Sequence, residues 1–412
     1  MSTLSNGRVR SIDRFRGLCM LFVVFQFVMG AMGGTFESWA PLLEHEKKGF
    51  QLLAGFSIAD LFAPAFIFII GMTICRSFAS REAKVGTGRA YFQLAVRFLS
   101  LIGLGGVYNA IEDGWVEMLS GEPFSELGLN MRILMIAAVL AVVLILFTLI
   151  SGCFKSGKVN AVASDVLHYY LAALGVAVLF FIAASAGGRT GINFDDTIEK
   201  DLFGKYIWDT LENIGLAGLV ALPFIRMNKW GKLAVTLSTF AFVGVFVQFG
   251  GYPMVRLLVE GAPFSCICWA GILLLGSFFM DLRDDKPKYW AFAGAFIVIP
   301  ALLAKFCGVI TSKRGCTPAY ALITAGVAAV IFGVLYLFEN WDPKFKPITW
   351  WGGSCIFTYT LNYLISLIIG FIFDAKELTV GIPVGLGLTA AVTVVLTLIH
   401  WALFAKDKHV RL

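Results

Sequence analysis

A histidine between two carboxylates stands in the stretch PLLEHEKKGF: Glu44, His45 and Glu46. Imidazole titrates near neutral pH, so His45 has the chemistry of a general base or acyl acceptor, with Glu44 to orient its ring. The bland alternative is a solvated loop histidine. Asp60, in SIADLFAPAFIFIIG, opens a long apolar run. A carboxylate there either anchors a polar substrate or satisfies the free N–H groups of a helix start. Glu212 and Asn213 sit inside another apolar run and either line a cavity or bind neighbouring helices together. Asp13 and Arg16 have the i, i+3 spacing that pairs side chains on one helix face. A basic set, Arg14, Arg16, Arg76, Arg81 and Arg89, suits the phosphates of a nucleotide-like donor. A plain topology signal needs the same residues. His168 and His400 read as structural, and His409 lies in the tail. No phosphate-binding loop, dinucleotide fingerprint or zinc signature is present, so no metal is expected.

The elements that position these residues follow from composition. Of 412 residues, 58% are hydrophobic and 15% charged. A soluble domain carries about 25% charged residues. The mean hydropathy of +0.81 therefore asks for a lipid bilayer as solvent. Runs of about 18 to 24 apolar residues can cross the hydrocarbon as helices. They fall near 17–34, 56–78, 91–110, 132–151, 165–185, 207–225, 232–250, 264–281, 289–307, 318–338, 350–372 and 381–404. The expected fold is an all-α polytopic bundle of about twelve transmembrane helices, one domain over 1–412. The first apolar run reads as a retained helix and not as a cleaved signal.

The net charge of +6 does not point to nucleic acid, because the basic residues sit in short loops between apolar runs. With the N-terminus inside, twice as many of the 33 Lys and Arg residues fall in inward segments as in outward ones. That bias predicts both termini in the cytoplasm. Most of the eight cysteines lie inside apolar runs and read as small core residues. Cys307 and Cys316 flank one outward loop and are a candidate disulfide. Oligomeric state is open, a homodimer included.

Several stretches resemble one family in order along the chain. Ser11 to Gly17 (SIDRFRG) resembles the S-x-D-x-x-R-G opening of transmembrane acyltransferases. Gly55 to Pro64, continuing through Phe68 to Gly71, resembles the G-x-T-x-x-D-L-V-F-P-x-F-x-F-I-x-G stretch of heparan-α-glucosaminide N-acetyltransferase and its bacterial relatives. Leu211 to Leu216 is similar to that family's L-Q-R-I-G-L, and Lys313 to Leu322 to its K-x-L-W-T-P-S-F-V-L. Gly353 and Ser354 ahead of Tyr359 echo its G-M-N-S-x-x-x-Y. Residues 115–190 have no counterpart and read as an inserted pair of helices.

The resemblance implies a multi-pass enzyme of a bacterial inner membrane. Acetyl-CoA would enter from the cytosol as co-substrate, and an amine or hydroxyl of a sugar or envelope glycan would receive the acyl group outside. It implies catalysis by His45 with Glu44 and Asp60, donor phosphates on the inner arginines, and acceptor contacts from Glu212, Asn213, Lys313 and Arg314. Two positions depart from the pattern. Phe27 stands where the family often has Asn. Phe50 stands where an ungapped register puts the family's histidine, and a change in loop length would bring His45 there. The alternative is a sugar carrier or sensor that keeps the fold and has lost the chemistry.

Overall fold

The computed structural model describes residues 9–32, 59–119, 129–153, 157–186, 208–251, 264–313, 315–341, 346–376, 378 and 380–404. The described residues are almost entirely helical and contain no strand. The helices in chain order are α1 (Arg10–Ala31), α2 (Phe62–Val85), α3 (Thr87–Asn109), α4 (Leu129–Cys153), α5 (Gly157–Ala186), α6 (Thr210–Ala221) and α7 (Lys229–Phe246). They continue with α8 (Ser265–Leu282), α9 (Lys286–Cys307), α10 (Pro318–Leu337), α11 (Pro347–Gly353), α12 (Cys355–Ala375) and α13 (Ile382–Phe404). Among the described residues, eleven helices are long and apolar enough to cross a membrane. The chain is a multi-pass α-helical membrane protein.

The predicted segments match these helices with one informative difference. The expected crossing at 207–225 is only the 12-residue α6, extended by a 3-10 turn over Leu222–Phe224. It packs on α3 and α8, and Asn213, Ile214, Gly215, Ala217 and Gly218 are buried. A helix enclosed by protein does not have to match the full lipid thickness. The insertion expected at 115–190 contains two helices, α4 and α5, and α5 lies along α3.

α8 is the central post. Every residue from Cys268 to Met280 is buried, and α2, α6, α7 and α10 pack around it. Without a hydrophobic drive between helices in lipid, close backbone approach supplies the dispersion contacts. Gly71 lies against the Leu273 backbone and Gly276 against the Phe68 backbone, so a methyl at either would overlap the facing helix. By contrast α4, α9 and α13 show alternate faces to the surroundings, with Ile136, Leu302 and Leu398 exposed.

The proposed Cys307–Cys316 disulfide is not formed. Cys307 is exposed at the end of α9, whereas Cys316 is buried beneath the start of α10, and neither is in a disulfide. The two ends of this loop face different environments.

Candidate functional site

Inner and outer ends are named here by the charge count. At the inner end, α1 and α10 cap one another. Glu339, just past α10, accepts from the Arg10 N–H at 2.7 Å, the Ser11 N–H at 2.8 Å and the Ser11 hydroxyl. A carboxylate thereby meets the free N–H groups and positive dipole end of α1. In return the buried Arg14 donates to the Phe338 carbonyl at 2.5 Å and to the Trp341 carbonyl. Its guanidinium also lies over the Trp341 ring, 5.7 Å from the centroid. α11 then seals the joint, with Gly17 against the Ile348 backbone and Gly352 against the Asp13 backbone.

The expected Asp13–Arg16 pair is present at 3.9 Å. Arg16 also donates to the Thr73 hydroxyl at 3.1 Å, which ties α1 to α2. Arg76 and Arg89 are exposed, and Arg81 donates to the Ser77 hydroxyl one turn back. Of the basic set, Arg14 is thus turned into the protein, while Arg76 and Arg89 lie at the surface.

The outer half holds a different arrangement. Tyr108 of α3 stacks on Tyr363 of α12 at 4.7 Å, and Tyr359 lies 5.6 Å from Tyr108. Phe27 of α1 meets Tyr359 and Tyr363 edge-on at 5.5 and 6.2 Å. The Tyr363 hydroxyl is 2.7 Å from a Glu112 carboxylate oxygen and 3.0 Å from the Tyr108 carbonyl. The Tyr108 hydroxyl bonds the Thr360 hydroxyl. Tyr359 lies within electrostatic reach of Asp209, Glu112 and Glu212.

Glu212 itself is fully buried at the start of α6. It accepts from the Asn109 amide at 3.0 Å and from the Asp209 N–H at 3.2 Å. The absence of a side chain at Gly105 makes room for its carboxylate. Asn213 accepts from the Trp208 indole N–H at 2.9 Å and faces the Cys266 thiol at 3.5 Å. The first turns of α8 link this group to the next, because Trp269 meets Tyr320 edge-on at 6.1 Å. The Tyr320 hydroxyl donates to the Asp60 carbonyl at 2.5 Å. Asp60 is fully buried in the 3-10 turn Ala59–Leu61 that leads into α2, and Lys313 is also buried. Hence Asp60, Glu212 and Asn213, expected from sequence, do lie in connected layers of the protein. His45, Glu44 and Arg314 lie outside the described residues.

Among the described residues, three side chains of α12 have polar atoms without a hydrogen-bond partner. Asn362 is fully buried, and neither its amide nitrogen nor its oxygen has a hydrogen-bond partner. Ser366, one turn on, is buried with an unpartnered hydroxyl. The Tyr359 hydroxyl, one turn back, also makes no hydrogen bond among the described residues. Tyr359, Asn362 and Ser366 are spaced i, i+3, i+7 and share one helix face. An unmet polar group costs about 1–3 kcal/mol in a protein interior, and lipid offers no water to relieve it.

Sequence reasoning missed the tyrosine layer and Asn362. The signal was available in YTLNYLIS (Tyr359 to Ser366), whose polar positions fall at helical spacing inside an apolar run. It also missed Lys232, which is buried and donates to the Ser277 hydroxyl at 2.8 Å, with the Cys75 sulfur at 3.2 Å and Asp281 at 3.6 Å. His400 is buried and bonded to the Thr358 hydroxyl at 2.9 Å and the Leu396 carbonyl at 2.8 Å. His168 lies 2.7 Å from the Ser164 carbonyl on its own helix. Both fit the structural reading.

No family model matches the chain, and no curated protein matches it.

Proposed function

We propose that this protein is a membrane-bound acyltransferase of a bacterial inner membrane. It moves an acyl group, most simply acetyl, from cytosolic acyl-CoA to an amine or hydroxyl of a sugar or envelope glycan at the outer face. The observation that carries the reading is the outer-half layer, in which Tyr108, Tyr359 and Tyr363 stand beside Glu112 and Glu212, with Asn362 unpartnered among them. Aromatic faces with nearby carboxylates suit a polyhydroxyl ring or a protonated amine. Asp60, Glu212, Asn213 and Tyr359 all come from stretches that resemble the acyltransferase family. On the inner side, Arg76 and Arg89 are exposed and suit the donor's phosphates.

The test mixes the purified full-length protein with acetyl-CoA and a panel of neutral and amino sugars. Thiol release that depends on an acceptor is expected. His45→Ala should lower turnover by roughly a hundredfold or more while donor binding persists. Absence of acetyl-CoA binding together with absence of thiol release for every acceptor would sink the reading.

A second reading is favoured by Phe27, which packs against Tyr359 and Tyr363 where the family often has a polar residue. A ring can stack on a sugar but cannot carry a proton. The protein would then be a carrier or sensor. Uptake of labelled sugar into proteoliposomes without acyl-CoA distinguishes it from the enzyme.

A further inference from the structure

A shallow groove lies between the first turns of α9 and the last turns of α10, far along the chain from the tyrosine layer. Arg283, Lys286, Tyr289, Trp290, Gly333 and Tyr336 line it. Its shape depends on Gly333. A methyl there would come within 2.7 Å of the Trp290 indole and 2.9 Å of the Tyr289 ring, so both rings rest on bare backbone.

The groove sits where the apolar spans Lys286–Cys307 and Pro318–Leu337 begin and end. That is headgroup depth, where Trp and Tyr rings are favoured. Its charges are arranged to leave one cation open. Asp285 is held by Lys288 at 2.7 Å, and Asp281 by Lys232 at 3.6 Å. Asp284 faces Arg283 at 3.4 Å and the Tyr336 hydroxyl at 3.4 Å. Arg283 is anchored by the Met280 carbonyl at 2.6 Å. Lys286 is exposed, and its ammonium has no ion-pair partner among the described residues.

The geometry points to a site for the phosphate of an anionic phospholipid headgroup. Lys286 meets the phosphate, Arg283 supports it, and the Trp290 and Tyr289 rings pack on the glycerol and upper acyl carbons. The charge count puts this end in the cytosolic leaflet, where anionic lipids attract basic residues at about 1 kcal/mol each. A soluble phosphate ester shares the same chemistry, so the experiment separates the two.

Full-length protein is reconstituted with equal phosphatidylcholine and phosphatidylglycerol, released gently, and its retained lipids are counted by native mass spectrometry. Wild type should retain phosphatidylglycerol preferentially. Lys286→Gln should reduce that preference at least fivefold, and Lys286→Arg should keep it. Gly333→Ala should reduce it with every charge intact. Lys288→Gln, whose ammonium belongs to Asp285, should change nothing. Equal retention in Lys286→Gln, or an equal loss in Lys288→Gln, would overturn the site. Displacement of the lipid by millimolar inorganic phosphate or glycerol phosphate would overturn the choice of lipid and assign the groove to a soluble phosphate.

Discussion

The two ends of α1 border two polar regions built on opposite terms. At its start, Glu339 and Arg14 satisfy the free ends of α1 and α10 reciprocally, and Gly17 and Gly352 close the backbone contact with α11. Toward its other end, Phe27 faces Tyr359, on a helix whose buried Asn362 and Ser366 have no hydrogen-bond partner among the described residues. A fully satisfied network positions helices. A network held open at a cost in stability fits a place reserved for a ligand.

That contrast can be broken at four points. The largest effect belongs to Gly352→Leu. The new side chain would enter the Asp13 backbone, at a cost near or beyond the top of the roughly 1–3 kcal/mol typical of overpacking. Size-exclusion chromatography should show loss of the monodisperse species. A well-folded variant would mean that α1 and α11 are not in tight contact.

Glu339→Ala comes next. It strips the partner from two N–H groups and the Ser11 hydroxyl, at about 1–3 kcal/mol. The melting temperature should fall, with Glu339→Gln intermediate. An unchanged melting temperature would show that water replaces the carboxylate and that the latch is incidental.

Tyr359→Phe should be nearly silent for folding, within about 0.5 kcal/mol, because the hydroxyl makes no hydrogen bond among the described residues. Turnover, or sugar uptake under the second reading, should drop about tenfold. A stability loss without a functional loss would move Tyr359 to the structural side of the comparison.

The membrane spans were legible because lipid imposes one rule, a long apolar run, on every crossing. The same rule overstated α6 as a full crossing at 207–225, since a helix enclosed by α3 and α8 need not span the lipid alone. The individual acidic residues Asp60 and Glu212 stood out against their apolar surroundings. Arg14 was read as a phosphate ligand, because sequence shows the charge but not the α10 carbonyls that receive it. The tyrosine layer was hidden because Tyr108 and Tyr363 are 255 positions apart and meet only when α3 and α12 pack.

The most direct test of the outer layer as a ligand site is Asn362→Leu, read by two measurements on the same preparation. A buried amide that serves only the fold should be missed when it is removed. One with no partner among the described residues should not be, since an apolar side chain of similar size removes a desolvation cost. The account predicts a melting temperature equal to or above wild type without ligand, together with at least a tenfold loss of acceptor-dependent thiol release or of sugar uptake. A lower melting temperature with full activity would contradict it.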